Sequence, residues 1–209
     1  MNFSLNEIEA TAKRATRGAG YAWGIAEDAA KATRWLCSQG VDGVVELARV
    51  LEREFTGSLD DHVPAGLYCD WDGGKDLCPL TVGVLLSDCS HMLLTGPFRI
   101  RQVASPMMLL PFAAHAARSQ NVVAIVTTGD FSAATDGARL ALRNDCPDWA
   151  DHVEVALGDI LTEPCSPQTR ATPDPIAWKI LNRIAHRTYA PATEESRLLG
   201  AGAGLSDND

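Results

Sequence analysis

No run of lysine or arginine occurs in this chain of 209 residues, whose formal net charge at pH 7 is −9. Phosphate contacts require clustered cations, and here 18 basic residues are scattered among 27 acidic ones. Nucleic acid and an anionic membrane surface are therefore excluded as main ligands. Long apolar runs are missing too. The longest, around Val82–Leu86 and Met107–Ala117, fall short of the roughly 20 residues that a membrane-spanning helix requires. The opening MNFSLNEIEA has neither a basic n-region nor an apolar h-region, so no secretory signal is read there. A cytoplasmic location is expected, and with it reduced thiols at Cys37, Cys69, Cys78, Cys89, Cys146 and Cys165.

Several chemical signatures are lacking as well. There is no G-x-S-x-G elbow for a serine hydrolase. Cys69, Asp70, Asp72, Cys78, Cys89 and His91 offer ligand types that suit zinc, but their spacing matches no paired-ligand pattern, and no metal site is expected. Among the thiols, Cys78 is the best placed as a nucleophile, because Pro79 puts it at a helix start, where a thiol pKa falls. His115 falls in a mostly apolar helix and reads as a core histidine. Gly200, Gly202 and Gly204 alternate with alanine near the C-terminus, yet nucleotide-phosphate loops need a strand before the glycines and a helix after them. That tail is either a flexible terminus or a segment docked over a pocket.

What is present is a globular composition, 46% hydrophobic and 22% charged, on a chain long enough to bury a core. Ser4-Leu-Asn-Glu7 is a capping box, and Leu5, Ile8, Ala12 and Ala15 follow at helical spacing up to Gly18-Ala-Gly20. A second helix carries Ile25, Ala29, Ala32 and Leu36 to Gly40; a third, capped by Asp42, carries Val44, Leu47, Leu51 and Phe55 inward. Residues 56–76, rich in aspartate and glycine, read as a long surface loop. Thr81–Leu86 suits a helix opened by Pro79 or a strand equally well.

Phe98–Ala104 alternates as a strand, with Phe98, Ile100 and Gln102 on one face. Ser105-Pro106 opens a helix over Met107–Arg118, with Pro111 predicting a kink. Strands follow at Val122–Thr127, Phe131–Thr135, Ala138–Leu142 and His152–Leu157, the middle pair joined at Asp136-Gly137 by an expected type I′ turn. Short connections of this kind force antiparallel neighbours. After a proline-rich bridge, Asp174-Pro175 opens a helix with Ile176, Ile180 and Ile184 inward, and Thr193 can cap a short one over Glu194–Leu199. The expected fold is α+β: an N-terminal helical layer on a mainly antiparallel sheet, with a C-terminal helix and docked tail. It forms one domain over 1–209, with a helical subregion at 1–55, an α/β core at 77–160 and a C-terminal helix and tail at 174–209.

Two stretches concentrate binding chemistry. Arg187, Tyr189, Glu195, Arg197 and Gly202 gather cations, a phenol, a carboxylate and a glycine loop, a set suited to a carboxylate or phosphate. Arg17 precedes a glycine turn and Trp23, where an aromatic could floor a pocket or staple two helices. RGAGYAWGIAEDA near the start and TYAPATEESRLLGAGAG near the end resemble a bacterial family of proteins of unknown function, which implies that the tail belongs to the domain but names no catalytic residue and no cofactor. Gly40-Val-Asp-Gly43 after a helix is also similar to the opening of the malate/L-lactate/ureidoglycolate dehydrogenase family, although that motif continues with Ser-His where Gly43-Val44 stands here. Two functions are carried forward. One is an enzyme or binder of a small anionic metabolite; the other is a non-catalytic module or accessory subunit of a metabolic complex, meeting a partner or a second copy through the tail or the Trp23 and Trp35 face.

Overall fold

The structure, a computed structural model, describes residues 1–66 and 70–189. A two-residue strand β1 (Phe3–Ser4) runs into α1 (Leu5–Gly18), where Ser4 and Glu7 complete the expected capping box. Glycines at left-handed φ end the first two turns: Gly20 at φ +100 leads to α2 (Trp23–Ser38), and Gly40 at φ +84 leads to α3 (Gly43–Glu52). Asp42 serves two elements at once. One carboxylate oxygen accepts from the amides of Val44 and Val45 to cap α3, and the other accepts from the amide of Asp174 at 2.7 Å.

The acidic stretch that reads as surface loop carries two short elements among its described residues. A 3-10 turn spans Phe55–His62, and β2 (Asp70–Trp71) pairs in parallel with a central strand. Phe55 opens the turn and Trp71 ends the strand, and both side chains are buried. α4 (Pro79–Asp88) resolves the helix-or-strand question in favour of the helix. Its first turn, from Pro79 to Gly83, is buried on every side, so its apolar residues lack the one-sided period by which a surface helix is recognised.

The main sheet follows with β3 (Phe98–Ala104), interrupted at Gln102. Gln102 adopts φ +53, the ladder to its neighbour skips it, and the buried set passes from Phe98 and Ile100 to Val103, so Gln102 is not a member of the inner face. Pro106–Leu109 forms a 3-10 turn, and α5 (Leu110–Gln120) begins there, with Pro111 in its first turn. The proline therefore starts a helix instead of kinking one, because its missing amide costs nothing at that position. β4 (Val123–Thr128), β5 (Phe131–Thr135), β6 (Leu140–Arg143) and β7 (Trp149–Gly158) complete a sheet of order β2-β3-β7-β4-β5-β6, antiparallel except at β2. Between β5 and β6 only Gly137 has positive φ; Asp136 folds its carboxylate back onto the amides of Ala138 and Arg139, so the hairpin is present without a type I′ turn.

The proline-rich bridge holds β8 (Arg170–Ala171), which pairs with β1, and α6 (Pro175–Ala185) then packs on α1 and α3. Its inner face is Ala177, Leu181, Ile184 and Ala185; of the expected isoleucine row, Ile184 is buried and Ile180 is half-buried against the core, but Ile176 is 69% exposed. The layers are thus the sheet, then α5 and α4, then the bundle of α1, α2, α3 and α6, around one core that joins residues from Ile8 to Ala185. This is an α+β fold with a mainly antiparallel sheet. The helix expected after Thr193 lies outside the described residues.

Candidate functional site

The carboxyl ends of α1 and α6 meet, and glycine makes the meeting possible. A Cβ at Gly18 would stand 2.1 Å from the Ile184 carbonyl oxygen and 3.5 Å from the Arg187 Cβ. Both helices therefore bring their negative ends to one corner, which favours cations there. The sequence supplies them. Arg17 sits over the Trp23 ring at 4.5 Å and donates to the Tyr21 carbonyl; Lys13, one turn earlier, lies 5.7 Å from the same ring and pairs with Glu27 at 2.6 Å. On the neighbouring stripe of α1, Arg14 donates to the Tyr189 hydroxyl, and its guanidinium carbon lies 5.9 Å from that ring. The His186 ring packs edge-on with Tyr189, their centroids 5.2 Å apart.

Of the residues singled out in the sequence, the fold brings Arg17, Trp23, Arg187 and Tyr189 to this corner although 170 positions separate Arg17 from Arg187. Glu195, Arg197 and Gly202 lie outside the described residues. Sequence reasoning missed Arg14, whose only advance signal was its place one residue beyond Lys13 in the last turns of α1. Trp23 and Tyr189 are 63% and 53% exposed, so the two rings are presented to solvent with guanidiniums beside them. Among the described residues, Arg14, Arg17 and Arg187, like Arg118, Arg143 and Arg170 elsewhere, have no carboxylate within ion-pair distance, whereas Arg34, Arg49, Arg53, Arg99, Arg101, Arg139 and Arg183 each have at least one.

A second concavity, of about 320 Å³, opens between α2, α4 and α5. Ala32, Trp35, Val84, Pro111 and Phe112 form its apolar walls, and Asp28, Lys31, Ser87, Asp88, His115 and Arg118 its polar surround. His115 is exposed there, not a core residue: it lies on the side of α5 turned away from the sheet. A third hollow, of about 300 Å³, lies beside Gly40 and Arg170.

Cys78 is not an activated nucleophile. It does stand at the N-cap of α4, but its side chain is buried, 3.3 Å from the Tyr21 hydroxyl, and burial pushes the thiol pKa up. Desolvation outweighs the helix end. Among the described residues, no three His, Cys, Asp or Glu side chains gather in a metal-holding group, and no helix is long and apolar enough to cross a membrane.

Residues 3–76 match the model of a family described as a protein of unknown function (DUF3726). The span takes in the RGAGYAWGIAEDA stretch, and with it Arg14, Arg17 and Trp23. No curated protein and no solved structure matches the chain.

Proposed function

We propose that the protein binds a small anionic metabolite at the corner where α1 and α6 end. The observation that carries this reading is the gathering of Arg14, Arg17 and Arg187 without carboxylate partners among the described residues, beside the exposed Trp23 and the Tyr189 phenol. Among the described residues of this chain of net charge −9, six arginines have no carboxylate partner, and three of them share this corner. A guanidinium offers a planar fork to carboxylate or phosphate, and the rings add apolar contact for the body of the ligand. Helix carboxyl ends work against an anion, so the side chains must reach past them; the exposed rings give that reach a floor.

Trp23 is one of five tryptophans, so a fluorescence change is assigned to it by repeating the titration on Trp23→Phe. Titration of the full chain with citrate, phosphate and a neutral sugar, followed by tryptophan fluorescence and calorimetry, is expected to show binding of an anion alone. Arg14→Ala combined with Arg17→Ala should weaken it about tenfold or more, since each charge-assisted hydrogen bond is worth more than 1.4 kcal/mol. Equal response to all three probes, or an undiminished response in the double variant, would remove the reading. The exposed Trp23 also favours a second reading, a docking face for a partner chain; a change of mass in solution on Trp23→Ala, with anion binding intact, would support that one instead.

A further inference from the structure

The concavity between α2, α4 and α5 does not depend on the α1 corner and has a chemistry of its own. Its volume of about 320 Å³ is at the small end for ligand sites, which suits a single small metabolite and excludes a dinucleotide. The apolar walls are fixed. Phe112 lies flat against α4 where Gly83 has no side chain, since a Cβ there would fall 2.2 Å from the ring. Trp35 forms another wall.

The polar surround carries both signs of charge. Asp88 is the last residue of α4, the end at which a helix disfavours an anion, so its carboxylate calls for a cation. Among the described residues the only ion pair within the lining is a loose one, Asp28 with Lys31 at 3.8 Å. His115 and Arg118 stand one turn apart on α5, both exposed. Arg118 donates one nitrogen to the Gly137 carbonyl, which anchors the side chain and leaves its other donors available.

The geometry points to this concavity as a binding site for a small zwitterion with an apolar body, in the manner of an apolar α-amino acid. Its ammonium faces Asp88, its carboxylate faces His115 and Arg118, and its apolar side lies on Trp35 and Phe112. A ligand with one charge pairs with one side of the surround and forgoes the ion pair with the other, so both charges are read.

The test uses the full chain with three probes of one shape: L-phenylalanine, phenylacetate without the amine, and 2-phenylethylamine without the carboxylate. Dissociation constants come from ligand-observed NMR. L-phenylalanine is expected to bind about tenfold or more tightly than either single-charge probe. Asp88→Asn, an exposed change that leaves the core untouched, should bring it down to the level of phenylacetate. Arg17→Ala should leave it unchanged, which separates this site from the anion site at the α1 corner. Equal affinities for the three probes, no binding of any, or an Asp88→Asn variant with unaltered preference would overturn the proposal. So would a loss of L-phenylalanine binding on Arg17→Ala.

Discussion

Substituting Gly18 by alanine sets local propensity against tertiary packing, and the two predict opposite signs. Gly18 lies in α1 with ordinary helical backbone, where glycine to alanine normally gains about 0.5–1 kcal/mol. The added Cβ, however, would stand 2.1 Å from the Ile184 carbonyl oxygen, well inside the 3.0 Å that real Cβ contacts essentially never breach. That oxygen is backbone, so α6 must retreat, and overpacking of this kind costs about 1–3 kcal/mol. The clash wins. Net destabilisation of about 1–2 kcal/mol is expected, or a fall in Tm of about 2–8 °C for a chain of this size. Gly24 is the control: it too lies in a helix, α2, and a Cβ there meets nothing within 4 Å, so Gly24→Ala should stabilise by up to about 1 kcal/mol. Urea unfolding of the two variants beside the parent chain measures both. Gly18→Ala equal to or more stable than the parent would refute the close approach of α1 and α6, and with it the corner that gathers Arg17 and Arg187.

Glu46 gives a pH-dependent test. Burial raises its carboxyl above the ordinary 4.5, more than Arg49 at 2.9 Å lowers it. A raised folded pKa means that stability is fullest below 4.5 and is lost as pH rises through the raised value, so Glu46→Gln should be the more stable chain at pH 7, with the difference vanishing in acid. Urea midpoints across pH 4–8 check the sign. Cys78 gives a chemical test: with its thiol buried and its pKa pushed up, native protein should resist iodoacetamide there at pH 7.5, while the half-buried Cys89 and Cys165 react first. Peptide mass mapping reads the order, and early alkylation of Cys78 would contradict its burial.

The sequence by itself determined the elements whose signals are local. Ser4 and Glu7 start α1, Asp42 and Asp174 cap α3 and α6, and the patterns in Val122–Thr127 and Phe131–Thr135 declare two strands, found at Val123–Thr128 and Phe131–Thr135. Each signal depends on atoms a few residues apart, so no tertiary knowledge was needed. Binding chemistry was legible only as residue types: Arg17 with Trp23, and Arg187 with Tyr189. That these fall at one corner, with Arg14 beside them, was decided by α6 returning to α1 through a glycine contact over 166 residues of chain separation, Gly18 to Ile184. Tertiary packing also overruled three local patterns. A 3-10 turn and β2 formed within an acidic stretch that reads as loop, desolvation cancelled the helix-end activation of Cys78, and the packing of α5 on the sheet turned His115 outward to a concavity that three separate helices build. A cavity wall has no sequence period when its members come from different helices. Only the fold could assemble it.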